Sequence, residues 1–130
     1  MAMLETTFIM DLLRGRAGAS ALLDELEDRG EPLFVPSPAV MELLEGVLEC
    51  GIQSKERAKI DELLSAIPAL PFEGPDAGRT AEIMFTLSKR SVPVEIEEAM
   101  IAGMAMRRGE TVVTRNTHFA RIPGLRVLKY

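Results

Sequence analysis

Five short apolar segments, each too brief to be a helix, recur along this chain at wide intervals. They are the stretch ending at Met3-Leu4 and residues 32–36, 69–72, 111–114 and 125–128. The longest gaps carry apolar residues at helical spacing. Strands kept apart by helices cannot form hairpins. Their crossovers impose a parallel sheet, which needs helices over its faces. The predicted fold is therefore α/β: a three-layer sandwich with a parallel sheet of four or five short strands and helices on both faces. At 130 residues the chain suffices for a single domain spanning 1–130.

The intervening segments have recognisable ends. Thr6 or Thr7 is predicted to cap a helix carrying Phe8, Ile9, Leu12 and Leu13, which Gly15 stops. Residues 17–29 place Leu22, Leu23 and Leu26 among acids, and Gly30 ends that helix. Ser37 is a predicted N-cap with Pro38 first in a helix running to 49 and stopping at Gly51. Ser54 is predicted to cap the next, with Ile60, Leu63, Leu64 and Ile67 on one face. Helix 75–90 has Ala81, Met84, Phe85 and Leu87 as its apolar side, and helix 96–108 is rich in small residues. Asn116 is predicted to cap a short turn through Phe119.

Composition then removes whole classes of chemistry. One cysteine excludes an internal disulfide, and one histidine excludes sites built from several imidazoles. No apolar run approaches the ~20 residues that span a bilayer. The first residues meet Glu5 before any basic residue, a poor signal peptide, so a cytoplasmic protein without a membrane partner is expected. Net charge is −5, unevenly spread. Residues 1–106 hold nine basic and nineteen acidic side chains; residues 107–130 hold six basic and one acidic. A basic last quarter suits phosphate contact, although a few exposed arginines account for it equally.

No GxxxxGK[ST], GxGxxG or GxSxG occurs, so phosphate loops and serine nucleophiles are out. His118 reads as a cap or surface residue, and Cys50, with no basic neighbour, as structural. Carboxylates remain. Ligands of parallel sheets sit beyond the strands' carboxyl ends. Those ends are Glu5-Thr6, Ser37, Glu73 and Thr114-Arg115-Asn116. Acids converging there repel one another unless a hard divalent cation joins them. Glu5, directly after an apolar strand, is the best placed. Glu42 shares a helical side with Glu45 and Glu49, which also describes a solvated face. Glu95, Glu97 and Glu98 open a helix, where the dipole alone favours acids.

Three stretches carry a resemblance: LETTFIMDLLRG at 4–15, VPSPAVMELLEG at 35–46 and EEAMIAGMAMRRGETVVTRNTHFARIPGLRV at 97–127. Together they resemble the PIN domain, in particular the VapC-type toxin ribonucleases; residues 52–90 match only in helical layout. The resemblance implies a metal-dependent endoribonuclease, the toxin of a toxin–antitoxin pair. It places the family's four acidic positions on Glu5, Glu42, Glu98 and Asn116 as catalytic residues, with Glu5, Glu42 and Glu98 holding Mg²⁺ or Mn²⁺. Only Glu42 is the usual residue: the family usually has Asp at the other three positions. It implies supporting hydrogen bonds from Thr6 and Thr114, and RNA contacts from Arg115 and Arg121. The implied partners are an RNA substrate, a small antitoxin protein and a second copy in a homodimer, for which the apolar early helices are suited. The rival reading is a PIN fold that binds RNA or a protein without cutting it; a third is an unrelated α/β domain with surface acids.

Overall fold

The computed structural model describes residues 1–50 and 53–130. Strand β1 (Ala2–Leu4) lies at the centre of a five-stranded sheet ordered β3-β2-β1-β4-β5. The others are β2 (Leu33–Pro36), β3 (Ala69–Leu70), β4 (Thr111–Val113) and β5 (Arg126–Leu128). Every pairing is parallel, with Ala2 opposite Leu33 on one side and Thr111 on the other. Met3, Leu4, Val35, Val112 and Val113 are wholly buried. A strand buried on both faces reads as a continuous apolar run rather than an alternating one, which is how 2–4 and 111–113 read.

Helices α1 (Thr6–Leu13) and α2 (Ala17–Asp28) connect β1 to β2. Helices α3 (Ser37–Cys50) and α4 (Gln53–Ala66) lead to β3, and α5 (Gly74–Lys89) and α6 (Ile96–Arg108) lead to β4. The last crossover contains only a 3₁₀ turn, Thr117–Arg121. The expected stop at Gly51 falls outside what the structure describes; Ser54, expected to cap the next helix, lies inside α4, which opens at Gln53.

Several local expectations are corrected. Neither Thr6 nor Thr7 caps α1; Glu5 does, its carboxylate accepting from the Thr7 N–H. Ser37 opens α3 from inside the helix, and its hydroxyl accepts from the Phe72 N–H, tying the exit of β2 to that of β3. The third strand is two residues long, not four, because Pro71 has no N–H to continue a ladder. Cys50 is exposed rather than structural. On α5, Ala81 is exposed and Phe85 is 65% exposed; the buried residues are Asp76, Thr80, Ile83 and Leu87.

The polar character of that buried face follows from close packing against α6. A Cβ built on Gly103 would lie 2.4 Å from Thr80 Oγ1 and 3.0 Å from the Thr80 nitrogen. The Thr80 hydroxyl cannot yield freely, since it donates to the Asp76 carbonyl at 2.8 Å. Gly103→Ala is therefore expected to destabilise the fold by about 1–3 kcal/mol through overpacking, despite alanine's better helix propensity. A urea midpoint equal to or above that of the unaltered chain would show that the helices separate without cost.

Candidate active site

Glu5 stands one residue past β1, 3% exposed, where the central strand gives way to α1. One oxygen, Oε2, accepts from the Thr7 N–H (2.9 Å), the Thr7 hydroxyl (2.6 Å) and the Thr114 hydroxyl (2.6 Å). Thr114 immediately follows β4, so the two adjacent strands are joined at their carboxyl ends through this carboxylate. Its other oxygen has no hydrogen bond among the described residues.

Thr6 points the other way. Its hydroxyl donates to Glu42 Oε1 at 2.8 Å, drawing α3 toward the same strand end. Burial raises the Glu42 carboxyl above its ordinary value. The Thr6 hydrogen bond opposes this, and the charges of Glu5, Glu97 and Glu98 add to it. The acids on β1, α3 and α6 thus feel one another, with no basic side chain among the causes.

Glu98 sits in the first turn of α6. Its Oε1 accepts from the Glu95 N–H at 2.9 Å. Its Oε2 accepts from Asn116 Nδ2 at 2.7 Å and faces His118 Nδ1 at 2.9 Å. Asn116 also caps the 3₁₀ turn, its side-chain oxygen accepting from the His118 N–H. Four of the expected residues are therefore joined in pairs, Thr6 with Glu42 and Glu98 with Asn116, and Thr114 holds Glu5. Arg121 is exposed and forms no ion pair among the described residues. Arg115 is not free: its guanidinium is paired side-on with Asp11. Arg107 and Arg108, part of the basic last quarter, are likewise engaged, by Asp76 and Glu73.

Sequence reasoning missed Thr7, Asp11 and the His118–Glu98 contact. A threonine at the third position after the strand signals only a helix start, and an aspartate inside an amphipathic helix signals a solvated face. Asp11 is instead 1% exposed. It accepts from Arg115 and the Tyr130 hydroxyl and is ion-paired with Arg16. The Arg115 hydrogen bond lowers its carboxyl, outweighing burial. Burial and the bond to Asp11 push the Tyr130 phenol up to about 12.

The donor chemistry suits a hard divalent cation: carboxylate oxygens of one charge sign with free valence on Glu5 and Glu42. The side chains as placed do not gather three ligands, for no group of three His, Cys, Asp or Glu among the described residues is arranged to hold a metal. Glu98 is engaged by Asn116 and His118.

The sequence matches the PIN domain family over residues 2–125. The chain belongs to the PIN family. Among curated relatives, the VapC proteins of Shigella flexneri and Salmonella typhimurium, each named a tRNA(fMet)-specific endonuclease, are 34% and 33% identical over 95 and 96 residues. These stretches cover 72% and 73% of this chain and the same shares of the relatives. Among solved structures, VapBC2 of Rickettsia felis, bound to a promoter DNA fragment, superposes with a TM-score of 0.92 at 22% identity, covering 99% of this chain and 98% of that one. DNA-bound VapBC of Salmonella typhimurium gives 0.88 at 26% identity, with 98% and 96% covered. The PIN sheet and its flanking helices are therefore the expected α/β architecture.

The pKa shifts of this PIN domain predict a pH dependence of opposite signs in two ranges. The folded Glu42 carboxyl lies above its ordinary 4.5, so the stability it contributes is present at low pH and is lost as pH rises through the folded value. Without metal, the melting temperature should rise as pH falls from 7 toward 5. Asp11 and Asp76 lie below their ordinary 3.8; for Asp76, hydrogen bonds from Arg107 and Arg108 outweigh the upward push of burial. Their contribution is present above that value and lost as pH falls below it. Melting in EDTA across pH 3–7 should therefore pass through a maximum. A flat curve between 7 and 5 would mean that Glu42 is not crowded by neighbouring charge.

Proposed function

We propose that this PIN domain is a metal-dependent endoribonuclease, the toxin of a toxin–antitoxin pair, acting in the cytoplasm as a homodimer. The observation that carries this reading is the arrangement at the carboxyl end of the central strand, where Thr114 holds Glu5 and Thr6 holds Glu42, whose carboxyl is raised by burial and by the charges of Glu5, Glu97 and Glu98. Curated VapC relatives above 30% identity support the activity.

Glu5 and Glu42 would hold Mg²⁺ or Mn²⁺ through their free oxygens, and Glu98 would complete the donor set. Such a cation supplies Lewis acidity for phosphodiester hydrolysis. The chain's own residues do the rest. Three hydrogen bonds on Glu5 Oε2 fix the orientation of its other oxygen, and Thr6 does the same for Glu42. Asn116 keeps the amide nitrogen toward Glu98, holding an uncharged group where relatives usually carry a fourth acid. Arg115 and Arg121 are the proposed phosphate contacts outside the acids.

A groove of ≈ 520 Å³ beside Glu42 is lined by Met10, Leu13, Leu43, Val47 and Ile60 with Arg14, Glu56 and Lys59. An amphipathic segment of the antitoxin is the proposed occupant, since a chain laid there runs against Glu42. Exposed Met41 and Leu48 on α3 support the second copy.

The test is RNA cleavage with Mn²⁺, run on the unaltered chain and on Glu5→Asp/Asn116→Asp. The double variant shortens one ligand and adds a carboxylate. Near a divalent ion at an effective dielectric of ~20 that charge is worth a few kcal/mol before desolvation. Mn²⁺ affinity is expected to rise about tenfold or more, which is ~1.4 kcal/mol. A fall in affinity and cleavage would show a site adapted to its glutamates. No change in either would remove positions 5 and 116 from the site. Absent cleavage in both chains, with RNA binding retained, would favour a PIN fold that binds without cutting.

A further inference from the structure

We propose that Asp11 is a positioning residue that sets Arg115 as a phosphate clamp at the mouth of the acidic site, an inference that rests on the RNA-directed reading above. The Asp11 carboxylate is saturated. Its Oδ1 accepts from Arg115 Nη2 (3.2 Å) and is ion-paired with Arg16 Nε (3.1 Å), and its Oδ2 accepts from Arg115 Nε (2.7 Å) and the Tyr130 hydroxyl (2.6 Å). With three hydrogen bonds, a second guanidinium beside it and burial on all sides, it cannot turn. The arginine is gripped along one edge only. Its Nη1 has no partner among the described residues, and the side chain is 48% exposed.

A guanidinium fixed on one edge and open on the other is prepared for a phosphate, because its planar fork matches two phosphate oxygens and little rotamer freedom remains to be lost. Its place in the chain puts its backbone at the acids, while the fork itself lies on Asp11. Arg115 lies between Thr114, which holds Glu5, and Asn116, which holds Glu98. Its own N–H donates to the Thr7 hydroxyl at 3.2 Å, and that hydroxyl donates to Glu5. Asp11 is thus two contacts from the loop that carries half the site. The competing account is that Arg115 serves only to neutralise a buried aspartate.

The two accounts give opposite signs. Binding of a fluorescein-labelled hairpin RNA is measured by anisotropy in EDTA, where metal-dependent cleavage is absent, for Arg115→Leu, Asp11→Asn, Asp11→Leu/Arg115→Leu and Tyr130→Phe. Removing a negative charge at position 11 should tighten RNA binding if only net charge counts. The clamp requires the reverse: Asp11→Asn weakens binding about five- to tenfold, Arg115→Leu about tenfold, and the double variant no more than Arg115→Leu. Each also lowers the slope of log K against log salt by about 0.7, the share of one phosphate contact on a single strand. A general loss of stability would not produce that slope change. Tyr130→Phe keeps the ion pair and removes one donor, so it covers the case in which Asp11→Asn fails to fold; a two- to threefold weakening is expected. Tighter or unchanged binding in Asp11→Asn, unchanged binding in Tyr130→Phe should the former not fold, or additive effects in the double variant would overturn the proposal. Because the readout needs no cleavage, an inactive enzyme overturns the nuclease reading without moving these ratios.

Discussion

Replacing Glu42 with alanine is expected to reduce Mn²⁺-dependent RNA cleavage at least a thousandfold while leaving the fold intact. The Glu42 carboxyl is raised above its ordinary value by burial and by Glu5, Glu97 and Glu98. Removing it deletes a proposed ligand and half of the Thr6 contact. It also relieves repulsion. In EDTA the melting temperature at pH 7 should stay level or rise, because an ionised carboxylate held among like charges opposes folding. The rise should vanish near pH 4, where the group is protonated in both states. Cleavage retained within tenfold of the unaltered chain would remove Glu42 from the reaction. A strongly lowered melting temperature would recast it as a structural partner of Thr6.

The largest stability effect is expected far from the acids, at Asp76→Ala. Asp76 is fully buried and accepts from Arg107 Nε (2.6 Å), Arg108 Nη1 (2.8 Å) and the Glu73 N–H (2.8 Å). Its loss uncaps α5 and leaves two guanidinium groups with Glu73 as their shared carboxylate partner, and Arg108 has little solvent to turn to. Breaking a buried pair by removing one partner costs about 3–5 kcal/mol, and Arg107, partly in water, places this case near the lower bound. For a chain of this size that is a fall of roughly 10 °C in melting temperature. Replacing all three by apolar residues should recover part of the loss. A single variant within 1 °C of the unaltered chain would mean that water replaces the aspartate freely.

Much of the architecture is written in local pattern. The apolar runs at 2–4, 33–36 and 111–113 are strands because nothing else buries so short a segment on both faces. Glu5 is legible as a site residue because a charge at such a strand's end is costly without a task. The glutamates at 42 and 98 are not, since helical acids usually face water, and only the family resemblance singles them out. The errors share one cause. Asp11 and Asp76 are polar residues on buried helix faces, where partners from distant positions satisfy them: Arg115 is 104 residues from Asp11, and Arg107 is 31 from Asp76. Periodicity assigns such residues to solvent. The same substitution of polar for apolar contacts leaves Phe85, expected inside, on the surface with Lys89 over its ring.

The central place of β1 has a consequence for when the protein becomes dangerous to its maker. Glu5 is made well before the residue whose hydroxyl holds it, Thr114, which follows the strand that pairs directly with β1. Glu98, Asn116 and His118 also come late. A nascent chain makes α1 through α4 first, with the residues that line the groove beside Glu42, but it has no assembled site until β4 pairs with β1. The long loop that must close first makes this a slow, all-or-none event late in synthesis. The surface on which an inhibitor would sit is thus in place before the activity it would silence.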